Sequence, residues 1–215
     1  MGQQLAAFKA GLKQNLTLAG DLILINLLFV LCSIPVITLG AAEAASYTYM
    51  TRLLRGEPVG LSFAGFFKDF AACFKKATLG WVLELVCIAL AAGDLWFAVS
   101  YSEPDNTFFL IFACVLAVTV LLASVWFYPL VARYENKLGA HIKNSFLMMF
   151  ARLPKTLLAL LIQAAFLAVP ILFFDAFVLL GWFWLLFGAS LPMYLTAKIL
   201  RDQLQCPVKK ATEED

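Results

Sequence analysis

The chain is poor in the residues that carry most chemistry. It has one histidine, His141, so a histidine-based metal cluster is excluded, and no Ser-His-Asp pattern forms around it. The five cysteines (Cys32, Cys73, Cys87, Cys114 and Cys206) are odd in number, widely spaced and without a C-x-x-C pair. That argues against a zinc site and a disulfide framework, and leaves them as small buried hydrophobes. Also missing are a glycine-rich phosphate loop, a G-x-S-x-G elbow and an H-E-x-x-H helix. Neither enzyme activity nor a bound cofactor is expected. The greatest shortage is of charge, at 14% of 215 residues, where a soluble domain carries about 25%. The net charge of +2 gives no reason to expect a nucleic-acid partner.

What fills the space is apolar, since 63% of the residues are hydrophobic. A core of this size cannot hide so much apolar surface, so the solvent is lipid and the protein is integral to a bilayer. Unpaired backbone groups are costly there, so the fold class is all-α, a polytopic transmembrane bundle. The first eighteen residues lack a continuous apolar core before a small-residue site, so no cleavable signal is expected. We read 1–215 as a single membrane domain, opening with an amphipathic interfacial helix over 1–16 that carries Leu5, Phe8, Leu12 and Leu16 at helical spacing. Five strong spans follow over 17–34, 77–101, 107–131, 156–174 and 176–199, with a shorter sixth helix over 36–55. Amphipathic connections occupy 56–76 and 132–155, and a polar tail occupies 202–215.

Lysine and arginine set the sidedness. Arg52, Arg55, Lys68, Lys75 and Lys76 fall in one connecting region, Arg133, Lys137, Lys143, Arg152 and Lys155 in another, and Lys198, Arg201, Lys209 and Lys210 at the C-terminal end. The connections at Ser102–Asn106 and Asp175 contain no basic residue. The basic regions are therefore read as cytoplasmic and the two short turns as outside. With five spans, the N-terminus and its Lys9 and Lys13 would face outward. With a turn at Pro35 and a returning helix rich in Gly40, Ala41, Ala42, Ala44, Ala45 and Ser46, all sixteen basic residues lie inside. The charge distribution favours the second arrangement, and its small residues permit close helix approach.

Ionisable groups inside a membrane are expensive, so each is a candidate for function. Glu43, Glu84 and Asp94 qualify, and Gln163 is a polar partner within reach of Glu84. Each also has a structural reading, a hydrogen bond between helices for Glu84 and a snorkelled position near the outer face for Asp94. At the inner face, Arg133, Glu135 and Lys137 could form an ion-pair cluster with Arg52, Arg55 or Glu57, or dock a partner's cytoplasmic loop. Leu61, Phe63, Phe66, Phe67, Phe70 and Phe74 make an aromatic helical face that suits packing under the bundle or a docking role. Phe66–Leu85 and Ser145–Ala164 share a pattern of aromatics leading into a basic cluster, at an offset that sets Glu84 against Gln163. Duplication and the shared demands of entry helices both account for it.

Several ordered segments resemble the YesL-like membrane proteins, the DUF624 family: "SIPVITLGAA" followed by "RLLRGE", then "FYPLVARYENKL", then "SLPMYL". The likeness runs from about Leu16 to Leu204. It implies a bacterial protein of the cytoplasmic membrane with no established biochemical activity. Genes of the family often lie beside carbohydrate ABC importers and polysaccharide-degrading enzymes. The resemblance thus implies importer membrane subunits as partners, by association and not by mechanism. It carries no catalytic residues onto this chain and says nothing of the oligomeric state.

Overall fold

Every element among the described residues of the computed structural model is helical, as a backbone immersed in lipid requires. The structure describes residues 2–55, 57, 63–100, 107–172 and 174–204, with side chains described outside 2–11, 13–14 and 174–180. The turn expected at Ser102–Asn106, the end of the tail with Lys209 and Lys210, and Leu61 of the aromatic face lie outside these residues. The elements are α1 (Gly2–Ser33), α2 (Leu39–Leu54), α3 (Phe63–Ser100), α4 (Thr107–Arg133), α5 (Leu138–Ala151), α6 (Leu153–Leu172), α7 (Phe174–Phe187), α8 (Ser190–Ile199) and α9 (Arg201–Leu204). Among the described residues four stretches are long and apolar enough to cross a membrane: Asn15–Ser33, Phe63–Ser100, Thr107–Arg133 and Leu153–Leu172.

Several expected boundaries move. The interfacial helix over 1–16 and the span over 17–34 are one helix, because no proline or glycine interrupts the joint. The connection over 56–76 is likewise no separate element from Phe63 onward. Those residues run straight into the apolar segment, so α3 has 38 residues and a length of about 57 Å. Within 132–155 the chain forms α5, breaks at Arg152 and starts α6 at Leu153. Pro154 lacks the N–H that a continuing helix would use, which accounts for the break. The Phe66–Leu85 segment is unbroken while Ser145–Ala164 is interrupted, so the two similar patterns do not share a backbone. Asp175 lies within α7 and not in a connection.

The chain reverses after Ser33, where Pro35 takes an extended conformation before a 3-10 turn over Val36–Thr38. Thr38 closes the turn by donating to the Pro35 carbonyl at 2.7 Å, and Trp81 Nε1 donates to the Val36 carbonyl at 2.7 Å. The reversal is therefore fastened near the middle of α3, not at its C-terminal end. From there α2 returns as the central helix of the molecule. Gly40, Ala41, Ala42 and every residue from Ala44 to Thr51 are buried. A Cβ on Gly40 would lie 2.7 Å from Trp81 Cβ and 2.8 Å from the Ala77 carbonyl. Only glycine lets the two backbones approach that closely.

The span expected over 176–199 is interrupted. It forms α7 and α8, separated at Gly188 and Ala189. Gly188 is required there, since a Cβ would sit 2.5 Å from the Trp184 carbonyl. Breaking a helix strands carbonyls on one side and N–H groups on the other. Asn26 of α1, fully buried, serves both sides with one amide. Its Nδ2 donates to the Leu185 carbonyl at 2.7 Å, and its Oδ1 accepts from the Ala189 and Ser190 amides at 2.8 and 3.0 Å.

Asn26→Leu should lower stability by roughly 1–3 kcal/mol, the usual cost of leaving buried polar groups unmatched. Thermal denaturation of the purified protein in detergent measures this, with Leu16→Ala at an exposed site of α1 expected to leave the midpoint nearly unchanged.

Candidate functional site

Two polar regions stand out against the apolar bundle. The first surrounds the start of α2. Glu43 and Tyr47 lie one helical turn apart on α2, so their side chains share a face. Glu84 of α3 accepts a hydrogen bond from the Tyr128 hydroxyl of α4 at 2.7 Å and lies beside the Ser124 hydroxyl. Glu43 is within electrostatic reach of Glu84, Tyr47 and Tyr128. Among the described residues no hydrogen bond or ion pair holds its carboxyl group. Gln163 of α6 donates to the Tyr47 hydroxyl at 3.2 Å and to Thr196 of α8 at 3.4 Å. Five helices thus send polar side chains to one place.

The structure brings together three of the four intramembrane candidates, in an arrangement that differs from the one expected. Gln163 is not the partner of Glu84. Tyr128 takes that role, and Gln163 reaches the cluster through Tyr47 instead. Asp94 stands apart, ten residues along α3 from Glu84, or about 15 Å. Tyr47 and Tyr128 were not assigned to this cluster from the sequence, although Tyr47 follows Glu43 by a single turn. Beside Glu84 a groove of about 100 Å³ opens between α3, α4 and α5. Its walls are mainly apolar, including Leu83, Val120, Phe127 and Phe146.

The second region lies where α2 and α4 end against α3. The Arg52 guanidinium grips Asp69 with two parallel hydrogen bonds of 2.9 and 2.7 Å, a geometry that suits the planar fork of arginine. Arg55 pairs with Glu57 at 2.8 Å, a neighbour in the chain and not a member of the Arg133–Lys137 cluster. Arg133 does not pair with α2. Its Nε donates to the Leu204 carbonyl at 3.1 Å and its guanidinium lies over the Tyr134 ring. Glu135 and Lys137 are exposed in the α4–α5 connection. The expected network among Arg52, Arg133 and Glu135 is thus replaced by separate pairs, because Asp69 claims Arg52 first. Asp69 was the missed residue here, and its position as a lone acid in "FFKDFAACF" was the available signal. Between these groups is a cavity of about 230 Å³.

The aromatic face at the start of α3 is divided. Phe66 is buried and Phe70 packs on the core, while Phe63, Phe67 and Phe74 are exposed. His141 of α5 is fully buried, with its ring set edgewise against Phe127 and neither nitrogen in a regular hydrogen bond. Burial and the nearby Lys76 charge hold it below its ordinary pKa of 6.5, and the Asn136 backbone offsets only part of this.

Residues 22–95 match the model of a family described as "Protein of unknown function, DUF624", which bears out the family resemblance on that stretch. No curated protein and no solved structure matches the chain.

The depressed pKa of His141 fixes the sign of a pH effect. Between its folded value and 6.5 the unfolded chain binds more protons than the folded one. Stability from a neutral His141 is therefore complete above pH 6.5 and is lost as pH falls through the folded value. Thermal melts across this range should show the acid-side loss in the parent protein and a shallower loss in His141→Leu.

Proposed function

From the match to the DUF624 family model over residues 22–95 and the four apolar helices of spanning length among the described residues, we propose a non-enzymatic accessory subunit of the bacterial cytoplasmic membrane. It associates with the membrane subunits of a carbohydrate ABC importer and serves sugar uptake or polysaccharide utilisation. The observation that supports this reading is the closure of the core. The central helix α2 is buried along nearly its whole length, and the groove that reaches Glu84 holds only about 100 Å³. Solute sites are usually about 300–1,000 Å³. A bundle closed in this way suits a protein that works by packing against another. Its outward faces suit the same role, with Trp96, Leu90 and Val99 on α3 and Leu161 and Leu167 on α6 all exposed. In this reading the basic inner face and both termini are cytoplasmic, and α2 with α1 forms the returning hairpin.

A second reading has its own support in Glu43 and Glu84. Two carboxyl groups within electrostatic reach of each other, one held by Tyr128 and the other by no hydrogen bond among the described residues, are the kind of pair that takes up and releases a proton. The interruption between α7 and α8 is a further feature that small-molecule transporters use. In this reading the chain is an independent proton-coupled transporter.

Purification at native expression in mild detergent should recover importer membrane subunits with this protein, identified by mass spectrometry. Repeated recovery of the protein alone counts against the accessory role. In liposomes, proton-linked solute flux that is present in the parent and abolished in Glu43→Gln or Glu84→Gln would instead favour the transporter, and unchanged flux in both variants removes these residues from it.

A further inference from the structure

The inner-face cavity does more than separate ion pairs. We propose that it is a binding site for a phosphate group, carried either by an anionic lipid or by a free phosphate-bearing solute. Its position is the first argument. The cavity lies where α2, α3 and α4 meet, lined by Arg52, Lys76, Arg133, Tyr134, Asp69 and Glu135. Basic pockets between membrane helices on the cytoplasmic side are suited to lipid headgroups. Lys75 and Lys76 open the apolar part of α3, so the site falls at headgroup depth.

The charge balance is the second argument. Three cations and two carboxylates line the cavity. Asp69 is consumed by the two-pronged bond from Arg52. Glu135 is exposed at the rim. Arg52 and Arg133 also occupy the last turns of α2 and α4, where cations offset the carbonyl ends of a helix. Lys76 has no such task. It sits in the interior of α3, half-buried, and among the described residues no carboxylate pairs with it. Its ammonium group is thus the one that a bound anion would satisfy.

Size is the third. A volume of about 230 Å³ admits a phosphate group and its ester oxygens and leaves room for bridging water. The guanidinium of Arg133 uses its Nε for the Leu204 carbonyl, and among the described residues no carboxylate pairs with its remaining donors. The Tyr134 ring beneath it holds the fork in place.

The test uses the full chain, purified in neutral detergent and freed of lipid. Its melting temperature is followed while phosphatidylglycerol, phosphatidylcholine or inorganic phosphate is added at constant ionic strength. Phosphatidylglycerol raising the midpoint where phosphatidylcholine does not supports a lipid source. A rise with inorganic phosphate alone supports a solute source. In either case Lys76→Gln should weaken the response roughly tenfold, as the loss of one charge-assisted hydrogen bond implies, and Lys75→Gln, outside the cavity, should not. Glu135→Gln, at an exposed position that leaves folding intact, should strengthen the response by removing a repelling charge. An equal response in the parent, Lys76→Gln and Glu135→Gln overturns the proposal, as does stabilisation by phosphatidylcholine equal to that by phosphatidylglycerol.

Discussion

A helix cut open inside a bilayer exposes carbonyls and N–H groups where no water can reach them. The gap between α7 and α8 therefore depends on Asn26, whose single side chain supplies a donor to one rim and an acceptor to the other. Because Asn26 belongs to α1, the same bonds fix the C-terminal helices against the N-terminal one. With α8 held there, Thr196 is available to Gln163, and Gln163 to Tyr47. The polar cluster around α2 thus stands on a structural bond several residues away from it.

The two readings of function rest on different properties of the same core. Its tightness comes from Gly40 and the alanines of α2, which draw α3 in until the backbones nearly touch. Its polarity comes from side chains placed on the same helix, above all Glu43. Small residues close the path that a solute would need, yet they also bring Glu43 near the carboxyl group of Glu84. Close packing and a shared charge are here one arrangement seen from two sides.

Much of this was legible in the sequence, for identifiable reasons. An excess of apolar residues dictates helices in lipid, and Pro35 with its run of small residues announces a reversal and a buried return. Glu43, Glu84 and Gln163 were found because polar groups are conspicuous in apolar runs. What stayed hidden were the partners. Tyr128 and Tyr47 are ordinary residues for their surroundings, Asp69 is a lone acid with no partner nearby in the chain, and the roles of all three arise from contacts between separate segments. The joint inside α3 was misplaced because a rise in polarity suggested a separate amphipathic element where the backbone had no reason to stop. The opposite error arose at Gly188, where the apolar pattern continued but the helix did not.

The unbroken course of α3 has a mechanical meaning. Asp69 and Glu84 are fifteen residues apart on one continuous helix, about 22 Å along its axis and about 60° apart around it. Neither can slide toward the other without breaking backbone hydrogen bonds. The helix is in effect a ruler between the arginine-bound carboxylate near its start and the tyrosine-bound one farther along it. Any rearrangement that carries one of them must pivot or translate the whole rod, and the other goes with it.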